Sequence, residues 1–186
     1  MAHLTRYYMD KRIKGCFNEV INRKILGISG IEDFRSLIGK NAEVLDVRYP
    51  EVDIQSYHMK IISFDFVIND QIIKHLKNPK KTIEESYWIL KKGGIAIHTT
   101  CFINYIHYCP KGYWRFSPDA LRYLCKDFSE ILQCEGWENR IAILLCFISN
   151  KFRFMKIPET KWSIRRLIIT YNEKKYPIVT WVVVKK

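Results

Sequence analysis

Acidic residues are in short supply in this chain, with 19 Asp and Glu against 31 Lys and Arg, for a net charge of +12. It also lacks repeats, low-complexity stretches and any linker that would divide its 186 residues, so it reads as one domain spanning 1–186. No two of its six cysteines, Cys16, Cys101, Cys109, Cys125, Cys134 and Cys146, have the CxxC spacing of a metal or redox site. No metal is expected, and cysteines in apolar patterns read as buried free thiols of a reducing compartment. The longest apolar run, Ile141 to Ile148, is far short of the roughly 20 residues of a membrane span. The N-terminus has no continuous apolar stretch of the secretory kind. These absences together point to a cytoplasmic location.

What is present favours a packed fold. Hydrophobic residues make up 48% and aromatics 14%, which excludes disorder. The positive charge is uneven: residues 151–186 hold ten basic and two acidic residues. Such a tail suits phosphate-rich partners, whether nucleic acid, an anionic lipid surface or a nucleotide-linked sugar, or else is a solvated face.

Periodicity places the elements. Arg6 to Asn22 has apolar residues at helical steps (Ile13, Phe17, Val20, Ile21) and predicts an N-terminal helix within 1–23. Ile25 to Ile28 and Ala42 to Val47 read as strands, and Val52 to Ile54 as a brief third. Between the first two, Ser29-Gly30 turns into a short helix with Phe34, Leu37 and Ile38 inward and Gly39 as its stop. Phe64 to Ile68 is a further strand. Asn78-Pro79 starts a helix as cap and first residue, running to Gly93-Gly94, and Ile95 to Thr100 is a buried strand. Ser117-Pro118 starts another helix. Ile131 to Cys134 predicts a strand, Asn139 caps a helix to about Asn150 within a helical excursion over 139–172, and Tyr176 to Val184 is the final strand. Strands alternating with helices predict a doubly wound α/β sheet.

One ordered series carries the functional signal: Phe64-Asp65-Phe66-Val67-Ile68, then Asn69-Asp70-Gln71, then Lys74-His75, then Trp88-Ile89-Leu90-Lys91-Lys92-Gly93-Gly94, then Tyr113-Trp114-Arg115-Phe116-Ser117-Pro118. In this order the series resembles the second half of class I S-adenosylmethionine-dependent methyltransferases, and most of all their small type 11 branch. That branch has FDVV…LEH, VLKPGG and a loop with HDYWRFTP. The resemblance spans roughly residues 25–185. It implies a Rossmann-like sheet of seven strands, mostly parallel with the last antiparallel. It also implies S-adenosylmethionine as cofactor and methyl transfer to oxygen or nitrogen, with a glycan or nucleotide-sugar as the acceptor.

Cofactor contacts are expected from Gly27, Ser29 and Gly30 in the first turn. Asp46, as the ribose-binding acid, and Asn69, Asp70 and Gln71, at the methionine end, complete the set. The chain departs from the pattern in the first turn: Gly27 stands where the branch has an acid, and Gly30 is the one close-approach glycine left. Gln55-Ser56 replaces the acid expected against adenine. The loop Phe102–Phe116 is expected to cover the acceptor. His107 would serve as base, Tyr113 as an aromatic wall for the sulfonium and Arg115 as an anion clamp. His75 matches the His of LEH, with Lys74 in place of its Glu. Two alternatives stand beside the enzyme: a catalytically weak pseudo-methyltransferase acting as a binding subunit, and a basic nucleic-acid-binding module.

Overall fold

The computed structural model describes residues 4–52, 64–106, 110–153, 155–158, 160 and 162–186. Its centre is a six-stranded sheet in the order β2-β1-β3-β4-β6-β5. The strands are β1 Lys24–Ile28, β2 Glu43–Val47, β3 Phe64–Asn69, β4 Leu90–Cys101, β5 Glu130–Trp137 and β6 Val179–Lys185. The first four pair in parallel, and β6 runs antiparallel to both β4 and β5. The last strand is therefore the reversed one, as expected. Among the described residues the strands number six rather than seven, because the brief strand expected at 52–54 falls largely outside them.

Alternation sends each strand's side chains to two cores. Ile25, Phe66, Ile68, Ile97 and Val183 join one cluster, and Leu26, Val67, Ala96, Val182 and Val184 join the other. The first cluster is closed by α1 (Tyr7–Lys14), α4 (Arg140–Ile148) and α6 (Ile164–Thr170), through Met9, Ile13, Ala142 and Ile169. The second is closed by α2 (Pro79–Ile89) and α3 (Pro118–Leu124), through Ile83, Ile89 and Leu121. A four-residue α5 (Asn150–Arg153) follows α4. Trp137 and Trp181 are fully buried, and their indole N–H groups donate to Ile169 O at 2.9 Å and Gln133 Oε1 at 2.7 Å. Satisfying that single polar atom is what lets so large an apolar side chain sit in a core.

Local capping signals are realised. Asn78, Ser117 and Asn139 accept from the backbone N–H three residues on, at 3.2, 3.2 and 3.0 Å. Three expectations need correction. The N-terminal helix stops at Lys14, and Ile21 instead forms a parallel bridge with Ile38. The short helix after Gly30 is a 3-10 helix of four residues, Ile31–Phe34, and ends before Leu37 and Ile38 rather than running to Gly39. Gly93-Gly94 do not end α2. That helix stops at Ile89 and the glycines lie within β4, where Phe64 pairs with Leu90 but Phe66 with Ile95. The extra residues on β4 bulge out, and Gly93 takes a φ of 75° there.

Candidate cofactor and acceptor site

β1 has β2 on one side and β3 on the other, so the chain reverses its direction of winding between β1 and β3. Open parallel sheets bind ligands in the crevice at such a switch point, beyond the carboxyl ends of the strands. Pairing lines up Asp46 with Gly27 and Ile68, and Val47 with Ile28 and Asn69. The residues just past these positions, Ser29 and Gln71, both have left-handed backbones, with φ of 53° and 55°. Such conformations in non-glycine residues cost about 1–3 kcal/mol each and gather at functional sites. Ser29 is fixed by its N–H to Val47 O (2.9 Å), while its Oγ accepts from Tyr49 N (2.8 Å).

Packing explains why the first turn departs from the family pattern. A Cβ on Gly27 would lie 2.6 Å from Ile31 Cδ1 and 3.0 Å from Asp46 Oδ1. Buried Ile31 fills the space an acid would need. Gly30 has a φ of 145°, and a Cβ there would lie 2.6 Å from Asp70 Oδ2. The close approach this glycine permits is to a carboxylate of the protein itself.

That carboxylate is the hub of the site. Asp70 is buried and receives both terminal nitrogens of Arg6, at 2.8 and 2.7 Å. Thr99 Oγ1 donates to it at 2.6 Å. Arg6 also reaches Asp33 at 3.1 Å and faces Asp10 at 4.0 Å. Burial works against the Arg6 charge, but Asp70, with Asp10 and Asp33, raises its pKa above the ordinary value. Burial pushes the Asp10 carboxyl up to about 7, with Asp70 and Asp33 adding to the rise and Arg6 opposing it. Arg6 Nε and Asp10 Oδ1 are both buried without a hydrogen-bond partner among the described residues.

Asp46 stands at the end of β2 as an exposed carboxylate. Partial burial and Glu32 shift its pKa upward, against Arg48 and Arg35. Asn69 is fully buried, and its amide donates to Ser86 Oγ (3.0 Å) and meets His98 Nδ1 (2.7 Å). Burial holds His98 down at about 3, so the ring is neutral. Gln71 is locked by its N–H to Thr99 Oγ1 (3.0 Å) and its amide to Thr100 O (3.1 Å). The buried Lys74 donates its Nζ to Gln71 O (2.7 Å) and Oε1 (2.9 Å), and burial lowers its pKa to about 8.

The aromatic loop is attached to this same segment. Lys74 O accepts from Tyr113 N at 2.8 Å and Trp114 N at 3.2 Å, and Trp114 Nε1 donates to Leu76 O at 2.8 Å. His75 is buried with Nδ1 3.0 Å from Lys111 O, which anchors the loop. Arg115 donates to Trp114 O and Tyr105 O at 2.8 and 3.0 Å, so it braces the loop. The Tyr113 ring is exposed. His107 lies outside the described residues. Beside the loop, a cavity of about 440 Å³ is lined by Ile103, Asn104, Tyr105, Ile143, Phe147 and Ile178, among others. It sits at the sheet edge where β4 ends and β6 begins, since Cys101 pairs with Val179. Among the described residues no cluster of His, Cys, Asp and Glu could hold a metal, and no helix is long and apolar enough to cross a membrane.

Sequence reasoning brought Ser29, Gly30, Asp46, Asp70 and Gln71 to one sheet edge. It missed Arg6, Asp10, Asp33 and Thr99. The spacing of Arg6 and Asp10 marks an i,i+4 pair, but nothing in the sequence joins them to Asp70.

Comparison with known proteins agrees with this fold. Residues 15–98 match the family model of a methyltransferase domain. A methyltransferase from Archaeoglobus fulgidus, described as S-adenosylmethionine-dependent, is 15% identical with a TM-score of 0.59, covering 97% of each chain. A possible histamine N-methyltransferase from Thermotoga maritima is 16% identical with a TM-score of 0.60, over 98% of this chain and 90% of that one. Phosphoethanolamine N-methyltransferase 2 of Haemonchus contortus, solved with S-adenosyl-L-methionine, is 15% identical with a TM-score of 0.62. The match covers 96% of this chain and 52% of that one, so the chain spans about half its length. No curated protein matches the sequence. The chain has the fold of these methyltransferases, and its residues 15–98 carry the pattern of a methyltransferase domain.

Proposed function

We propose that this protein is an S-adenosylmethionine-dependent methyltransferase acting on an oxygen or nitrogen of a small acceptor, with a glycan or nucleotide-sugar as the acceptor class. The observation that carries the reading is the acidic cluster at the β1–β3 switch point. Asp70 and Asp33 hold a guanidinium there. The same carboxylates suit the ammonium of an amino-acid end, so the donor set fits the cofactor in charge. Asp46, at the end of β2, would accept from the ribose hydroxyls.

The cofactor supplies a sulfonium-bound methyl group for in-line displacement. The protein's part is to bind, orient and keep the site dry. Asp46 and Asp70 would fix the two ends of the cofactor. Tyr113 and Trp114, tied to Lys74, would cover the reacting centre. The apolar cavity beside Tyr105 would take the acceptor. His107 is the proposed base. If its ring takes the acceptor's proton, His107→Ala lowers kcat about a hundredfold or more with cofactor affinity nearly unchanged.

A second reading has its own observation. Arg6 fills the position between Asp70 and Asp33, and Ile31 fills the place of the missing acid, as a binding subunit without catalysis would tolerate. Calorimetric titration with S-adenosylhomocysteine separates the two. Micromolar to low-millimolar binding that Asp46→Ala weakens by about 1.5–3 kcal/mol supports the enzyme. No heat at millimolar ligand supports the binding subunit.

A further inference from the structure

The segment 140–171 leaves large apolar side chains in water. On α4, Ile141, Leu144 and Ile148 are 51%, 63% and 75% exposed, at steps of three and four that make one face. On α6, Ile164, Leu167 and Tyr171 repeat that spacing at 73%, 58% and 64%, the last at the helix's C-cap. Trp162, just before α6, is 92% exposed. The two helices touch. Single exposed apolar residues need no explanation, but contiguous ones rimmed by charge mark an interaction surface.

Charge selects the partner. Residues 140–171 carry seven basic residues against one acidic, Glu159. Lys151, Lys156 and Arg165 are exposed. A second copy of this chain would bring the same sign of charge to the face, which disfavours self-association. A nucleic acid would satisfy the charges but offers nothing to Ile141, Leu144, Ile148 and Leu167. An anionic lipid surface satisfies both, with apolar side chains below the headgroups, Trp and Tyr at their level and Lys and Arg on the phosphates. The helices have 9 and 7 residues, so they lie on such a surface rather than cross it.

We propose that the 140–171 segment docks this protein on an anionic lipid surface, with the outer faces of α4 and α6 and the Trp162 ring entering the headgroup boundary. The surface is independent of the methyltransferase reading and is tested without cofactor. The full chain is floated with vesicles of phosphatidylcholine alone and of phosphatidylcholine mixed with phosphatidylserine. Binding is expected to the mixed vesicles only, and to weaken as salt is raised. A Leu144→Ser, Ile148→Ser, Trp162→Ala variant should lose about tenfold or more of that binding while its circular dichroism is unchanged. Failure to bind mixed vesicles overturns the proposal, as does a variant that binds as well as wild type. Salt-sensitive RNA binding without vesicle binding, or a concentration-dependent dimer that the variant abolishes, would instead assign the face to nucleic acid or to a second copy.

Discussion

The carboxyl edge of β1 and β3 and the 140–171 segment solve opposite problems. At the edge, polar groups are packed together: Arg6 pairs with buried Asp70 and with the exposed Asp33, Asp10 lies alongside, and Thr99 and Gln71 brace the whole. In the segment, apolar groups are left outside, and among the described residues no element covers their exposed faces. Buried charges are tolerable only when paired, so the first region is demanding of its own residues. The second makes few demands on folding and retains its hydrophobic surface for a partner. Changes at the edge should therefore act on stability and cofactor, and changes on the segment's exposed face on association alone.

The largest effect that would break this contrast is expected at Asp70. Asp70→Ala leaves the Arg6 guanidinium buried with its main partner gone, and should cost about 3–5 kcal/mol in denaturant unfolding. A loss below about 1 kcal/mol would mean the pair is loose and the edge no more constrained than the surface.

Next in size is a pH effect from Asp10. Its folded pKa of about 7 lies above the ordinary carboxyl value, so the folded state binds the proton more tightly. The associated stability is complete below about pH 4 and is lost as the pH rises toward 7. Asp10→Asn mimics the protonated form. It should match wild type near pH 4 and exceed it by roughly 2–4 kcal/mol at pH 7 and above. Parallel stability profiles for the two proteins would show that Asp10 is not held neutral. The smallest effect should come from the segment: Trp162→Ala or Ile164→Ser changes unfolding free energy by less than about 0.5 kcal/mol. A cost above 2 kcal/mol for either would place that side chain in the fold's own core rather than on a docking face.

The two regions were also unequally legible in the sequence. Strands such as Phe64–Asn69 and the caps Asn78, Ser117 and Asn139 are local signals, and they read correctly. The run Ile141–Ile148 gave its helix but not its exposure. A helix apolar all round has no polar face to mark which side meets solvent. The Arg6–Asp70 pair spans 64 residues, and periodicity carries no information over such a distance. The first helix stops at Lys14 with Gly15 as its C-cap, and Ile21 bridges Ile38 instead, a pairing that local apolar spacing cannot reveal.

Under the proposed function, the acids that pair with Arg6 would seat the cofactor's cationic end, in competition with the Arg6 guanidinium. Calorimetric titration of S-adenosylhomocysteine into wild type and Arg6→Gln, each confirmed as folded, tests this most directly. Occupation by Arg6 reduces apparent affinity in proportion to the fraction of molecules in which the seat is filled. Binding is therefore expected to both proteins, severalfold tighter in Arg6→Gln. Weaker binding by Arg6→Gln, or no binding by either protein, would contradict it.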